Sequence, residues 1–553
     1  MKKFNKKNTT DFLLLIAALL IVNGAGHFFF KRFDLTHDKR YTLSKSTIEL
    51  LKNVKDPLFI DVFLEGNFPS EFKRLQSETK QILEEFKSYN SKIVFKFNNP
   101  IEDESKAQQY TAELINLGFT PTNININKSG KKELIQIFPW AIANQGQMSV
   151  RVPLLVNNFG NSSSENINKS VQLLEFAFAD AVSKLSQKNK KTIAVLKGNG
   201  QMEDKYIADY LLNLKEYYKI GEFNLDSLQD QPNKVLENIK RFDALLIIKP
   251  TEAFTDNHKY ILDQFIMNGG KSMWLIDKVA IDLDNLQNEE QSAIAQQNNL
   301  NLDDLFFKYG VRINPKLIQD LLSTPITAQS QEGESPIDWL YSPIVKSEEN
   351  HSINKNINLI KLEFANQIDT LKNNIKKTVL LKSSAQSKAI GTPLKISLYD
   401  FVEGVNEDDY KNGNHTIGVL LEGKFTSGFK NRVKPFNTKN RDNSIDNKMI
   451  VIADGDIANY NYVNKKPLLN GIDQWTQQVY ANKDFLVNAM NYLLDDNGLI
   501  NIRSKEVLLP LLDKEKVAAN YTKAQVVTVA LPLVFLLIFG IIFQYIRRIK
   551  NTK

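Results

Sequence analysis

Two uncharged hydrophobic stretches, one near each end, dominate what this chain can be. Residues 12–30 read FLLLIAALLIVNGAGHFFF, with Lys2, Lys3, Lys6 and Lys7 before them and Lys31-Arg32 after. As a helix at 1.5 Å per residue, this stretch covers about 28 Å, close to the roughly 30 Å hydrocarbon core of a bilayer. A cleaved signal peptide is the competing reading, because residues 12–22 make an h-region and Asn23-Gly24-Ala25-Gly26 supplies small residues. Phe28, Phe29 and Phe30 prolong the apolar run beyond any such cleavage point and favour an uncleaved anchor. Residues 526–543 read VVTVALPLVFLLIFGIIF and are closed by Arg547-Arg548. Pro532 and Gly540 are tolerated in a membrane helix where they would weaken a soluble one.

The formal net charge is +7, and its location matters more than its size. Lysines at the N-terminus and Arg547, Arg548, Lys550 and Lys553 at the other end account for the whole excess, so the stretch between is neutral overall. That distribution argues against a nucleic-acid-binding stripe. It places both termini in the cytoplasm by the positive-inside rule, with everything between the two stretches on the far side of the membrane. With no cysteine among 553 residues, disulfides, thiolate catalysis and Cys-based metal sites are excluded.

The ectodomain reads as α/β. A strand at 58–63, an amphipathic helix at 70–89, a strand at 93–97, a helix near 106–117 ending at Gly118, then Pro121 and the strand 123–127 follow a thioredoxin-like order. In that order the proline is often cis; an ordinary turn proline is the alternative. A capping box Ser46-x-x-Glu49 opens a short helix over 47–53. Residues 157–170 read as a polar loop before a helix at 171–185. Strands at 192–196, 244–248 and 272–276 then alternate with helices at 205–218, 234–239 and 257–267, the pattern of a parallel sheet in a flavodoxin-like or amidotransferase-like layer. Residues 323–352 and 430–448 read as polar loops or insertions, the strand 449–453 rejoins the sheet, and a helix covers 484–494. The expected organisation is a cytoplasmic tail (1–11), transmembrane helix 1 (12–30), a thioredoxin-like α/β unit (31–156), a linker and helix (157–190) and an amidotransferase-like domain with insertions (191–512). A juxtamembrane segment (513–523), transmembrane helix 2 (524–546) and a second tail (547–553) complete it.

Little in the sequence carries chemistry. Gly270-Lys271-Ser272 ends like a P-loop, but Phe265 stands where the leading glycine belongs, and the triplet follows a helix and enters a strand instead of the reverse. After the strand 272–276 stands Asp277-Lys278, with no nucleophilic thiol. Asp454-Gly455-Asp456 follows a strand, so Asp454 and Asp456 are the weak candidates for a divalent cation; the competing reading is a tight turn with an Asx bond. His27, His37, His258, His351 and His415 show no metal-ligand spacing. No catalytic residue and no cofactor is expected, and the chain reads as a non-enzyme.

Seven phrases occur in order along the chain: RYTLS at 40–44, LDDLFFKYGVRINP at 302–315, WLYSP at 339–343, TVLLKSS at 378–384, LEGKFTSGF at 421–429, VIADGD at 451–456 and NIRSK at 501–505. Together with the two anchors they resemble the gliding-motility-associated accessory proteins of ABC transporters, within the ABC-transporter auxiliary family. The resemblance implies a non-catalytic subunit of a Bacteroidetes inner membrane that works with a separate permease and a separate ATPase, its ligand unknown. It also implies an amidotransferase-like ectodomain of the kind found in intraflagellar-transport proteins, serving interaction instead of catalysis. Arg40, Tyr41 and Leu43, beside the membrane, are the candidate partner contacts, with membrane-interface anchoring as the other reading. A structural scaffold of the motility or secretion apparatus and a periplasmic hydrolase are the competing functions.

Overall fold

In the segment ALLII, Ala244–Ile248, every residue is buried, and successive side chains enter opposite cores: Ala244, Leu246 and Ile248 one, Leu245 and Ile247 the other. Such a strand belongs in the middle of a parallel sheet covered on both faces. The computed structural model of the chain is built around it. It describes residues 14–19, 42–102, 107–128, 131–157, 161–187, 189–228, 230–330, 333–346, 351–460, 462–463, 466–495, 498–503 and 514–551. The chain divides into a large unit reaching to Lys505 and a small one from Glu506 onward.

The large unit begins with α1 (Lys45–Lys52), β1 (Leu58–Val62), α2 (Ser70–Tyr89), β2 (Ile93–Phe97) and α3 (Ala107–Asn116). The hairpin β3 (Thr122–Lys128) and β4 (Lys131–Ile137) follows, then β5 (Trp140–Gln145), β6 (Met148–Pro153) and α4 (Ser163–Ser186). One sheet runs β2-β1-β5-β6, with β2 parallel to β1 and the other pairs antiparallel. The β3–β4 hairpin forms its own two-stranded sheet. The amphipathic α2 turns Phe72, Leu75, Ile82 and Phe86 inward, and Phe86 meets Phe178 of α4 edge-on at 6.2 Å. Pro121 follows a trans bond; the cis peptide among the described residues is Thr392-Pro393.

Next come β7 (Thr192–Lys197), α5 (Asp204–Lys215), β8 (Lys219–Asn224), α6 (Pro232–Ile239), β9 (Ala244–Ile248), α7 (Asp256–Met267) and β10 (Lys271–Leu275). The chain then leaves through β11 (Val279–Ala280), β12 (Ser292–Gln297), α8 (Asp303–Tyr309), β13 (Val311–Asp320), β14 (Ser323–Ser330), β15 (Gly333–Val345), β16 (Ile360–Lys361) and β17 (Asn366–Thr370). It continues as β18 (Lys376–Lys382), β19 (Ser387–Gly391), β20 (Leu394–Ser397), β21 (Thr416–Thr426) and β22 (Asn443–Ile452), and closes with α9 (Asn482–Leu494) and α10 (Leu499–Arg503). The seven-stranded sheet runs β18-β21-β22-β10-β9-β7-β8; β22, β10, β9, β7 and β8 are parallel, and β21 and β18 add an antiparallel edge. α5 and α9 cover one face, α6, α7 and α8 the other.

Several sequence expectations shift here. Residues 157–170 are not all loop: α4 starts at Ser163, and Ser162 and Glu165 close a reciprocal capping box that satisfies its first free N–H groups. At α1 the N-cap is Ser44, not Ser46, because Glu175 of α4 accepts from both the Ser44 N–H at 2.6 Å and the Thr47 hydroxyl at 2.7 Å. The strand β8 (KIGEFN), with no clear alternation, forms at the sheet edge. In the stretch 323–352, read as loop or insertion, residues 323–330 and 333–345 form the long hairpin β14–β15, with Trp339 and Tyr341 buried against Phe364 and Phe401 in a third core. In the stretch 430–448, Asn443 already begins β22.

In the small unit a helix runs Tyr521–Ile549, 29 residues with a mean hydropathy of 2.9 over its most apolar window, long and apolar enough to cross a membrane. Pro532 lacks the N–H an α-helix needs, and the turn just before it, Val526–Ala530, is wound as a π-helix. Most of the first hydrophobic stretch lies outside the described residues; 14–19 are helical with exposed side chains.

Replacing Trp339 by Ala removes the centre of the third core and is expected to destabilise the large unit by about 3–5 kcal/mol. Ser162→Ala, which removes one cap, is expected to cost about 1 kcal/mol. Urea titrations followed by far-ultraviolet circular dichroism check the order of the two.

Candidate functional site

In a parallel sheet with helices on both faces, ligand sites form beyond the carboxyl ends of the strands, where loops diverge. There the sequence places Lys249 after β9, Asp277 after β10, and Asp454-Gly455-Asp456 after β22. Lys249 adopts φ 47°, left-handed backbone that costs a non-glycine residue on the order of 1 kcal/mol. Its ammonium Nζ donates to both oxygens of Asp456, at 2.7 and 2.6 Å, and stands 3.6 Å from Asp277 Oδ2. It also pairs with Asp282. Gly455 is required by this packing, since a Cβ there would lie 2.7 Å from Lys249 Cγ and 2.8 Å from Asp277 Oδ2.

The backbone completes the cluster. Asp277 Oδ1 accepts from the Gly455 N–H, and Asp454 Oδ1 accepts from the Asp456 N–H at 2.8 Å in an Asx turn. Asp454 Oδ2 accepts from the Glu363 N–H at 2.8 Å, which joins the segment between β16 and β17 to the end of β22. Beside it Lys361 pairs with Asp473 at 2.8 Å. Asp454 is 0% exposed and Asp277 5%.

Burial pushes Asp277 up to about 7 despite the opposing pull of Lys249, and the Asp456 charge adds to the rise. Burial, with Asp277 and Asp456 close by, pushes Asp454 well above the carboxylate range. Asp456 and Glu363 are raised by burial as well. For Lys249, burial acts to lower the pKa, but Asp456, Asp277 and Asp282 outweigh it and hold the ammonium charged. A permanently protonated lysine is no nucleophile and no base.

Asp277, Asp454 and Asp456 are the described carboxylates that come close enough together to share a cation, with one oxygen from each within 4.8 Å of the others. The two candidates from the sequence therefore do meet, and Asp277 joins them. The Lys249 ammonium already contributes positive charge to Asp456 and Asp277, so a divalent cation on the same carboxylates would face a fixed like charge. Lys249 carried no sequence signal; its value comes from a backbone turn that aims it across three strand ends. Leu43 is buried at 4% exposure, inside the chain's own core and not on an exposed docking face. Arg40 and Tyr41 lie outside the described residues, as do His27 and His37. The remaining histidines sit apart from the cluster's contacts: His258 on Asp226 at 2.9 Å, His351 edge-on to Tyr492, and His415 near Gln367. Gly270 precedes β10 and Lys271-Ser272 lie within it.

The family described as ABC-type uncharacterized transport system matches residues 190–489. The chain belongs to that family. The matched residues hold the whole seven-stranded sheet and its carboxylate cluster, and the family is that of an auxiliary component of ABC-type transport. Residues 37–144 match a domain family of unknown function, DUF7088. An uncharacterized protein of Borreliella burgdorferi (strain ATCC 35210 / DSM 4680 / CIP 102532 / B31) is 23% identical over 527 residues, 92% of each chain. The solved mmIFT52 N-terminal domain aligns with 55% of this chain and 98% of its own at 11% identity, with a TM-score of 0.32, too low to bear on function.

The ordinary carboxyl value for Asp277 is 3.8 and its folded value is about 7, so the folded chain keeps a proton there that the unfolded chain releases. The stability this contributes is complete below pH 3.8 and lost as pH rises to about 7. Asp277→Asn is expected to flatten that part of the stability curve, measured by urea unfolding from pH 4 to 8. Lys249→Met leaves buried carboxylates without their cation and is expected to cost about 3–5 kcal/mol at neutral pH. Acid should restore much of the loss by protonating them.

Proposed function

We propose that this chain is a membrane-anchored, non-catalytic accessory subunit of an ABC transporter whose ectodomain offers binding surface to a substrate or partner, while a separate ATPase and permease supply motor and pore. The observation that carries the reading is the Lys249 ammonium locked into the strand-end carboxylates. Where an α/β enzyme keeps reactive groups accessible, this chain buries Asp277 and Asp454 in an ion cluster that reaches solvent at Asp282. The strand order β2-β1-β5-β6 supports a thioredoxin-like reading of the first sheet, and β8-β7-β9-β10-β22 a flavodoxin-like reading of the second.

A second observation supports two anchors in one membrane. Ser44, where the chain enters the large unit, bonds Glu175 of α4, and Arg503, where it leaves, lies over the ring of the next residue, Phe176, at 5.3 Å. α1 and α10 also pack on each other. Such a unit suits a chain that comes from a membrane and returns to it, with both termini cytoplasmic and the ectodomain periplasmic. The narrower reading, a transporter of gliding motility, rests on the seven ordered phrases from 40–44 to 501–505; a scaffold role would use the same surfaces.

Purification of the full-length chain in mild detergent is expected to recover an ATPase subunit and a permease; recovery of neither sinks the accessory reading. A motility defect that persists when the partner ATPase is inactivated would favour the scaffold. Because the chain has no cysteine, topology can be mapped with single introduced thiols. Val433, 94% exposed, is the position for the ectodomain: Val433→Cys should react with a membrane-impermeant maleimide in spheroplasts, and Lys553→Cys only after lysis.

A further inference from the structure

The loop after β1, the loop after β2 and strand β4 enclose a cavity of about 430 Å³, within the range of ligand pockets. Its lining includes Phe63, Phe68, Asn99, Leu134, Gln136 and Phe138, with Glu65 the ionisable group among the lining residues. We propose that this cavity takes a short, extended, uncharged peptide segment of a partner or cargo protein, laid along β4 with one apolar side chain inserted. The proposal rests on the accessory reading and names the chemistry of what the ectodomain holds.

Three features select that occupant. First, Leu134, Gln136 and Phe138 alternate along extended chain and all line the cavity, so its wall follows about 13 Å of strand. That length suits three or four extended residues and exceeds a single sugar ring. Among the described residues β4 pairs with β3 alone, so its other edge has backbone groups available to an added strand. Second, the polar groups are amides. Asn99 spends its oxygen on the Ile101 N–H at 3.2 Å and Gln136 receives the Thr111 hydroxyl at 3.5 Å, which leaves their NH2 groups for acceptors such as peptide carbonyls. Third, charge and stacking count against the rivals. Among the described residues no lysine, arginine or histidine lines the cavity, and Glu65, bonded by Gln76 at 2.9 Å, repels anions. Phe138 is 1% exposed, Phe63 packs edge-on to Phe119 at 5.4 Å, and the Phe68 ring edge lies against Gly66, which reduces the aromatic surface a sugar could stack on.

The test uses the full-length chain in detergent on an array of capped hexapeptides in which Leu, Ile or Phe alternates with Ser or Asp, with a Gly-Ser repeat as baseline. The Ser series should bind at least tenfold above baseline, and the Asp series should not. Leu134 is 65% exposed, so Leu134→Asp should leave the melting temperature unchanged while lowering binding at least tenfold; Gln136→Ala should weaken it in the same direction. Binding no better than baseline, binding indifferent to both substitutions, or binding to a glycan array with the peptide array blank each overturns the proposal. Copurification of the ATPase and permease is scored on the same preparation, so failure of the accessory reading and failure of the peptide site are told apart.

Discussion

The Lys249 ammonium is the interaction on which the second sheet's geometry turns. Charges are stable in a protein interior only when paired and hydrogen-bonded, and this one holds together elements far apart in sequence. Asp456 follows β22, Asp277 and Asp282 follow β10, and Glu363, bonded to Asp454, belongs to the excursion between β10 and β22. Apolar packing fixes how the strands lie side by side, but it is insensitive to where each one stops. The ion cluster supplies that information, because a carboxylate displaced by one residue would be buried without its cation. The left-handed turn at Lys249 and the bare backbone at Gly455 are local costs borne for this close approach.

The same arrangement is what the proposed accessory role draws on at the strand ends. A reactive site needs a group that changes protonation or bonds to substrate within reach of solvent. Here the lysine is held charged and Asp454 is sealed, while Asp277, pushed up to about 7, is 5% exposed and accepts from the Gly455 N–H. An auxiliary component of transport needs a rigid body and defined surfaces. α4 contributes to the first of these, since Glu175 accepts from Ser44 and Phe176 receives Arg503.

Much of the fold was legible from the sequence where one physical signal acted alone. The apolar runs that became β7, β9 and β10 could only be buried strands, and the spacing in α2 could only be an amphipathic helix. Legibility failed where a distant partner decided. The local pattern pointed to Ser46 as the cap of α1, and Glu175, far away in the chain, selects Ser44 instead. The stretch 323–352 looked like loop or insertion because nothing nearby in sequence announces the core that Phe364 and Phe401 build around Trp339. The start of α4 was different, because its capping signal Ser162-x-x-Glu165 was present and its polarity masked it. At the carboxylate site, Asp454 and Asp456 stood out as a pair after a strand. Lys249 did not, since a lysine before a proline has no signature until the backbone turns it inward.

The strand-end cluster and the cavity between β1, β2 and β4 differ in a way that bears on function. Beyond the parallel strands the crevice is filled by the protein's own charges, and any ligand there would have to break a buried ion pair before gaining a contact. Between β1, β2 and β4 the amides of Asn99 and Gln136 are neutral and keep hydrogens available, with Glu65 the ionisable group beside them. Free energy of binding is the surplus left after such costs. On that ground recognition falls to the N-terminal sheet, and the larger domain, with its locked strand ends, serves as the stiff support that presents it.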